Sequence, residues 1–169
     1  MAWPRGRSAD GGVDEIPLGD ALPGRLLLCG KHAIGPDVDG LLARVGATTV
    51  VCLNQAPELA DRYPEYVVWL RDNAPGRAVH HPIPDLHAPA LDELSALVDE
   101  LHARLARGEV VVMHCGAGIG RTGTVAAALL VRDGAELDDA LAVVRASRPM
   151  AGPEAGSQIE VLRAYAARR

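Results

Sequence analysis

Short apolar runs recur along this chain, and each has the length and composition of a strand in a buried sheet. Thr48 to Leu53 is β-branched and apolar, as expected of a parallel strand that is covered on both faces. The same reasoning predicts four further strands, at Val13 to Leu18, Arg25 to Cys29, Val79 to Ile83 and Glu109 to Met113.

The segments between these runs show the helical period of three to four residues. It is clearest from Ala90 to Leu105, where one face carries Leu91, Leu94, Val98, Leu101 and Leu105. Further helices are expected at Asp37 to Val45, Pro57 to Tyr66, Thr124 to Val131, Leu137 to Val144 and Glu154 to Ala166. This alternation predicts a single α/β domain, with a mostly parallel central sheet of about five strands flanked by helices.

Length and composition fit this architecture. The 169 residues suit one domain with an adequate core, and 49% of them are apolar with no phenylalanine, so the core should be aliphatic. The beginning of the chain is rich in Gly, Ser, Arg and Asp, which predicts a flexible tail over residues 1–12 and a folded domain over residues 13–169.

Net charge and cysteine content limit which partners the protein is expected to bind and in which cellular compartment it is expected. A net charge of −5 argues against a nucleic-acid or anionic-membrane surface, and no apolar run approaches the length of a membrane span. Three cysteines, an odd number, provide no disulfide framework. We therefore expect a soluble, cytoplasmic monomer that binds neither nucleic acid nor membrane.

The residues whose types most clearly suggest catalytic chemistry follow the apolar run Val110 to Met113. Cys115 stands at the exit of this predicted strand, and Arg121 follows six positions later, with glycines nearly filling the gap. The intervening loop consists of Gly116, Ala117, Gly118, Ile119 and Gly120. Its glycines let backbone N–H groups turn toward an anion, and the N-terminal end of the predicted helix after it faces the same point.

Each residue type in this segment has a chemical role around a phosphate. A helix N-terminus, a nearby cation and backbone N–H groups favour the thiolate form of Cys115, which is the nucleophile. Arg121 offers two phosphoryl oxygens a flat, bidentate fork. We expect the Thr122 hydroxyl to hydrogen-bond the departing sulfur, and His114 to lie under the loop and order it. No metal or other cofactor is required.

Three other interpretations of the glycine loop are weaker. Residues 118–123 satisfy the dinucleotide pattern G-x-G-x-x-G, but Leu129 to Ser147 predicts two helices where a strand ending in an acidic residue is needed. A nucleotide P-loop is disfavoured because Cys115 and Arg121 occupy the positions of its first glycine and its lysine. A buried, inert cysteine leaves the surrounding arginine and glycines unexplained.

The pattern His-Cys, five residues, then Arg-Thr resembles the signature loop of the protein tyrosine phosphatase superfamily, and the flanks most resemble its small dual-specificity phosphatases. The segment Pro82 to Pro89 is similar to the general-acid loop of the family, in which Asp85 matches the acid. Arg148-Pro149 and Leu26 to Gly30 also resemble family segments. The resemblance runs from about residue 14 to the C-terminus, and only the loop around Cys115 is highly specific.

This resemblance implies a cysteine-dependent phosphatase fold. It also implies an enzyme that hydrolyses phosphomonoesters through a phosphocysteine. The implied substrates are proteins that carry phosphotyrosine and phosphoserine or phosphothreonine. The same chemistry could serve small phosphorylated molecules, phosphoinositides or RNA 5′-phosphates, although the acidic balance disfavours RNA. A phosphate-binding module without turnover and a sulfurtransferase are further alternatives; the latter gives no reason for Asp85.

Several residues have both a functional and a purely structural interpretation. Gln158 resembles the glutamine that positions water in the tyrosine-specific branch, or it caps the last helix. Arg148 either pairs near the signature loop or is solvated. Cys29 and Cys52 are expected in the core, although relatives use a cysteine like Cys52 to trap the oxidised nucleophile. A metal site is disfavoured at the histidines near Asp85, which are His80, His81 and His87.

Overall fold

The computed structural model describes Pro4 and residues 6–169. Five strands lie within these residues: β1 (Asp14–Ile16), β2 (Arg25–Gly30), β3 (Thr49–Cys52), β4 (Ala78–His80) and β5 (Val110–Cys115). Eight helices lie there too: α1 (Lys31–Ile34), α2 (Val38–Val45), α3 (Pro57–Ala60), α4 (Pro64–Asn73), α5 (Leu91–Ala106), α6 (Gly120–Arg132), α7 (Leu137–Ser147) and α8 (Gly156–Ala167).

The strands form one sheet in the order β1-β2-β5-β3-β4. β2, β5, β3 and β4 run parallel to their neighbours, and only β1 pairs antiparallel, with β2. The predicted α/β domain with a mostly parallel sheet of about five strands is therefore confirmed. β5 lies in the middle of the sheet, so the residues that follow it stand at the carboxyl edge of the strands, where such sheets bind ligands.

Alternation along the inner strands divides the core into two apolar layers. In β2, Leu26 and Leu28 face a layer that contains α5, α6, α7 and α8, whereas Leu27 and Cys29 face a layer that contains α1, α2, α3 and α4. α6 is buried along nearly its whole length, from Gly120 to Val131. Because helices cover both faces of the sheet, β5 and the start of α6 are held by packing on every side.

The structure corrects the predicted helix from Pro57 to Tyr66. It is two helices, because the backbone leaves the helical region at Tyr63 (φ −131°, ψ 56°) and Pro64 starts α4. Proline lacks an N–H group and restricts the residue before it, so it opens a helix more readily than it continues one. The edge strands β1 and β4 are also shorter than predicted, each ending before a nearby proline.

The beginning of the chain contacts the domain, although residues 6–12 form no helix or strand. Gly11 is buried, and Arg7 pairs with Asp14. The flexibility predicted for residues 1–12 stays a prediction, and residues 1–3 and 5 lie outside the described residues. In the described part of the chain, no helix combines the length and apolarity needed to cross a membrane.

Candidate active site

The loop between β5 and α6 turns within residues 116–119, and it lies tightly against β2. Gly118 has a positive φ of 72°, and a Cβ atom at this position would overlap the backbone of Cys29. Glycine is therefore required there both by conformation and by space. This close contact holds the loop directly against the end of the neighbouring strand β2.

Three carbonyl groups of the loop are held on its outer side. The N–H of Lys31 donates to the Gly116 carbonyl over 2.9 Å, and the Arg148 guanidinium donates to the Ala117 and Gly118 carbonyls, each over 2.8 Å. Because the C=O and N–H of a trans peptide point in opposite directions, the amides of residues 117–119 turn away from these donors. Their N–H groups therefore face the inner side of the loop, which is the arrangement that the predicted anion-binding segment requires.

Arg148 is the residue that organises this loop from behind. Its side chain is fully buried, and it also donates to the Asp14 carboxylate over 2.7 Å and to the Gly12 carbonyl over 3.1 Å. The alternative of a solvated Arg148 is therefore wrong. Its buried charge is compensated by the ion pair with Asp14 and by the carbonyl acceptors.

Cys115 and Thr122 are buried residues at either end of the segment that contains the loop. The side chain of Cys115 is 3% exposed at the end of β5, and Thr122 is fully buried in the first turn of α6. The expected hydrogen bond between them is not formed in this structure, since Thr122 Oγ1 is buried without a partner among the described residues. This hydroxyl is therefore free to bond a sulfur that becomes charged.

Arg121 is buried and held on one side by a carboxylate. Its Nη1 and Nη2 atoms donate to Glu58 Oε2 and Oε1, each over 2.8 Å, and Nη1 also donates to the Ile83 carbonyl over 2.8 Å. The same Nη2 atom also lies 3.2 Å from Asp85 Oδ1. These contacts fix the plane of the guanidinium.

Glu58 was not predicted as a site residue; it lies in the first turn of α3 and is 63 positions from Arg121 along the chain. Burial raises the pKa of Glu58, but hydrogen bonds from Arg121, the Gln55 amide and Asn54 outweigh it, so the pKa lies below its ordinary value. A lone glutamate at a helix start is common, so no local signal distinguished this one.

Asp85 lies on the loop after β4, close to Arg121 but open to solvent. Its side chain is 69% exposed, and its Oδ1 accepts the Leu86 amide over 3.0 Å. Leu86 has a positive φ of 61°, which is uncommon for a residue with a branched side chain. The loop therefore makes a tight turn that presents Asp85 at the mouth of the site.

His114 lies beneath the loop, where the structure leaves it no access to solvent. Its Nε2 is 2.5 Å from the Tyr66 hydroxyl, and its Nδ1 is 3.3 Å from the Cys115 carbonyl. Burial is the main cause that lowers the pKa of His114 to about 4. The imidazole is therefore neutral at physiological pH and links β5 to α4.

Gln158 is buried, and its side chain hydrogen-bonds the Asp85 loop and the turn before α8. Its Oε1 accepts the Glu154 amide over 2.7 Å, and its Nε2 donates to the His87 carbonyl over 3.1 Å. Gln158 thus links the start of α8 to the loop that carries Asp85 through these two hydrogen bonds.

The two other cysteines lie in the core, as predicted. Cys29 and Cys52 are fully buried, and burial raises the pKa of each thiol to about 12. Cys52 pairs in register with His114 on the neighbouring strand. Among the described residues, no cluster of three or more His, Cys, Asp or Glu side chains is arranged to hold a metal ion.

Comparison with protein families and curated proteins relates this chain to phosphatases. The family model described as Swiss Army Knife protein, DSP-PTPase phosphatase domain, matches residues 21–168. The chain is 34% identical over 79 residues to the phosphatidylinositol 3,4,5-trisphosphate 3-phosphatase and protein-tyrosine-phosphatase PTEN1 of Arabidopsis thaliana, an alignment that covers 46% of this chain and 19% of that protein. It is 34% identical over 77 residues to cyclin-dependent kinase inhibitor 3 of Sus scrofa, covering 46% of this chain and 32% of that one.

The chain therefore spans at most about a third of the length of these curated relatives. Solved structures match over nearly the whole domain. The active form of Tk-PTP is 32% identical with a TM-score of 0.72, covering 86% of this chain and 94% of that one. Kinase associated phosphatase has the same fold, with 20% identity, a TM-score of 0.77 and coverage of 93% and 94%.

Proposed function

The chain belongs to the DSP-PTPase phosphatase domain family, and from this premise we propose that it is a cysteine-dependent phosphomonoester hydrolase. The proposed reaction proceeds through a phosphocysteine at Cys115. The proposed substrates are phosphoproteins, with dual specificity for phosphotyrosine and phosphoserine or phosphothreonine.

One observation carries the chemical part of this proposal. The inward amides of residues 117–119 and the clamped Arg121 lie around Cys115 at the carboxyl end of the central strand. Preorganised donors of this kind stabilise charge that develops on the equatorial phosphoryl oxygens, without reorganising during the reaction. The groups that bind the phosphoryl oxygens and the nucleophile thus belong to one rigid segment of the chain.

In the first step, the Cys115 sulfur attacks phosphorus in line as the bond to the leaving oxygen breaks. Asp85 donates a proton to that oxygen, and Arg121 with the loop amides of residues 116–121 binds the remaining oxygens. In the second step, water attacks phosphorus, the S–P bond breaks, and Asp85 takes the proton from the water. The Thr122 hydroxyl, which lacks a partner among the described residues, hydrogen-bonds the departing sulfur.

The ion pair between Arg121 and Asp85 belongs to the substrate-free state in this proposal. A bound phosphoryl group competes for the same Nη2 nitrogen that now lies 3.2 Å from Asp85. Because Glu58 accepts from both Nη1 and Nη2, Arg121 keeps its place while Asp85 is released toward the leaving group.

The distribution of aromatic residues favours dual specificity over a deep phosphotyrosine pocket. Tyr63, Tyr66 and Trp69 are the tyrosine and tryptophan side chains on the segment that precedes the Asp85 loop. The structure engages them elsewhere: their polar atoms bond His32, His114 and Asp39 respectively. No aromatic wall is therefore built from this segment, and a shallow site accepts aryl and alkyl phosphates alike.

A turnover assay tests the proposal. Purified protein should hydrolyse an aryl phosphate, Cys115→Ser should abolish turnover, and rapid quenching should trap phosphate on Cys115. Intact binding of phosphate without turnover would instead make the chain a binding module, and adduct-free turnover would refute the phosphocysteine.

A panel of phosphopeptides, phosphoinositides and sugar phosphates then tests the substrate class. Comparable turnover of phosphotyrosine and phosphothreonine peptides supports dual specificity. A kcat/KM about a hundredfold higher for a phosphoinositide or a sugar phosphate, a difference of about 2.7 kcal/mol in transition-state binding, would refute the assignment to phosphoproteins.

A further inference from the structure

A third carboxylate, in addition to those of Glu58 and Asp85, lies beside the loop of residues 116–120 and has no role in the proposed reaction. Glu154 precedes α8, and its side chain lies directly against Gly120. A Cβ atom on Gly120 would overlap the Glu154 carboxylate, so the glycine makes room for it at the start of α6. Glu154 thereby lies against the residue that immediately precedes Arg121 in the chain.

The charged groups that act on Glu154 include Asp85 and Arg121, which both take part in the proposed reaction. Burial and the charge of Asp85 raise the pKa of Glu154 above its ordinary value, while Arg121 and the Gly120 amide act in the opposite sense. Arg145 lines the same surface cavity as Glu154. Two carboxylates beside one site repel each other, so one of them holds a proton at a higher pH than it would alone.

One buried side chain holds both carboxylate-bearing segments. Gln158 accepts the backbone amide of Glu154 and donates to the carbonyl of His87, two residues from Asp85. Its side chain is 1% exposed, and both hydrogen bonds are partly buried. The loop that carries Asp85 and the turn that carries Glu154 are thus tied to each other as well as to the anion-binding loop.

From this geometry we propose that Glu154 is a second proton-transfer group, which shares the acid and base role with Asp85 and is positioned by Gln158. This inference rests on the proposed phosphatase function. When the P–O bond breaks, the proton of the Glu154 carboxyl group passes to the leaving oxygen as an alternative to that of Asp85. When water attacks the phosphocysteine, the resulting Glu154 carboxylate accepts its proton.

The alternative role of Glu154 is to occupy the anion site and compete with phosphate. An ionised carboxylate against the Gly120 amide would repel a dianionic substrate, whereas a protonated one donates to it. The two roles predict opposite effects of Glu154→Gln, since removal of a competing charge strengthens phosphate binding and removal of a proton donor slows turnover.

A double-mutant cycle on kcat/KM tests the shared role, with Asp85→Asn, Glu154→Gln and the double variant. The substrates are phenyl phosphate, whose leaving group needs a proton, and dinitrophenyl phosphate, whose leaving group does not. We expect each single variant to lose about tenfold on phenyl phosphate, and the double variant to lose about a thousandfold, more than the product of the single losses, within the range of general acid catalysis. Dinitrophenyl phosphate should show losses below about threefold in every variant.

Glu160→Gln is the matched control, because Glu160 is an exposed carboxylate on α8 and the substitution changes the net charge equally. Gln158→Leu tests the positioning role: phenyl phosphate turnover should fall while dinitrophenyl phosphate turnover and vanadate inhibition persist. A purely structural defect would lower all three and would overturn that role. Urea unfolding midpoints check that each variant is folded.

The outcomes separate this inference from the function on which it depends. Absence of turnover in the folded wild-type protein overturns both. If the wild type turns over and Cys115→Ser does not, but Glu154→Gln matches Glu160→Gln on both substrates, only the role of Glu154 fails. Tighter vanadate inhibition with faster turnover in Glu154→Gln would likewise overturn proton transfer and establish competition for the anion site.

Discussion

Replacement of Glu58 by glutamine removes one charge from beneath Arg121 while preserving the size of the side chain. In the wild type, both carboxylate oxygens accept from Arg121 over 2.8 Å. Glutamine offers one acceptor in place of two, and its amide nitrogen cannot accept. The buried guanidinium therefore loses one charge-assisted hydrogen bond and the nearer of its two carboxylate partners in the same change, while Asp85 remains 3.2 Å away.

The expected cost follows from these contacts. A hydrogen bond to a charged group contributes about 1.5–3 kcal/mol, and the side chain of Glu58 is 23% exposed, so solvent compensates part of the loss. We expect Glu58→Gln to lower the free energy of unfolding by about 1–2 kcal/mol at neutral pH. Arg121 also loses its fixed plane, so kcat should fall about tenfold, which corresponds to about 1.4 kcal/mol of transition-state stabilisation.

The pH dependence identifies the charge as the cause. Because the pKa of Glu58 is lowered in the folded protein, its ionised form stabilises the fold above the ordinary value of 4.5. This stabilisation is lost as the pH falls from 4.5 through the lowered pKa. The difference in stability between the wild type and Glu58→Gln should therefore shrink below pH 4.5.

Urea unfolding at neutral pH and about one unit below 4.5 measures both effects. Glu65→Gln is the matched control, because Glu65 is an exposed glutamate in the first turn of the next helix and has a similar relation to a helix dipole. Equal midpoints for wild type and Glu58→Gln at neutral pH would refute the reasoning. A difference that stays constant with falling pH would show that lost packing, and not lost charge, is responsible.

Three further substitutions test the support of the loop. Gly118→Ala places a side chain at a positive φ against the β2 backbone, so it should cost more than about 2 kcal/mol of stability, measured by urea unfolding, and abolish vanadate binding. Tyr66→Phe removes the hydroxyl 2.5 Å from His114 and should cost about 1–2 kcal/mol; an unchanged midpoint would contradict it. Arg148→Met leaves Asp14 without its buried partner and frees the loop carbonyls, so a loss of about 3 kcal/mol with weaker vanadate inhibition is expected, and retention of both would show that the loop orders itself.

Local sequence was sufficient for the central part of the site. Cys115, the glycines and Arg121 lie within one short segment, and a strand before it and a helix after it determine which way that segment turns. The apolar periodicity of the neighbouring segments also predicted the parallel sheet. Asp85 was identified by resemblance to the acid loop of a family, and the structure places it 3.2 Å from Arg121.

The residues that hold this segment in place were not predictable in the same way. Glu58 is 63 positions from Arg121, and the carbonyls that Arg148 binds are about 30 positions from it. Glu154 was predicted only as the first residue of a helix. Each of these side chains has an ordinary local context, so no pattern in the sequence separates it from solvated residues of the same type.

The sequence by itself determined the candidate nucleophile Cys115, the glycine-rich loop that follows it and the alternation of strands and helices, because these depend on backbone conformation and on neighbours along the chain. Only the tertiary structure decided which carboxylates face Arg121, that Arg148 is buried and that Gln158 joins two loops. Those contacts depend on the order of strands in the sheet and on the packing of helices against it, which bring together residues that are far apart in sequence.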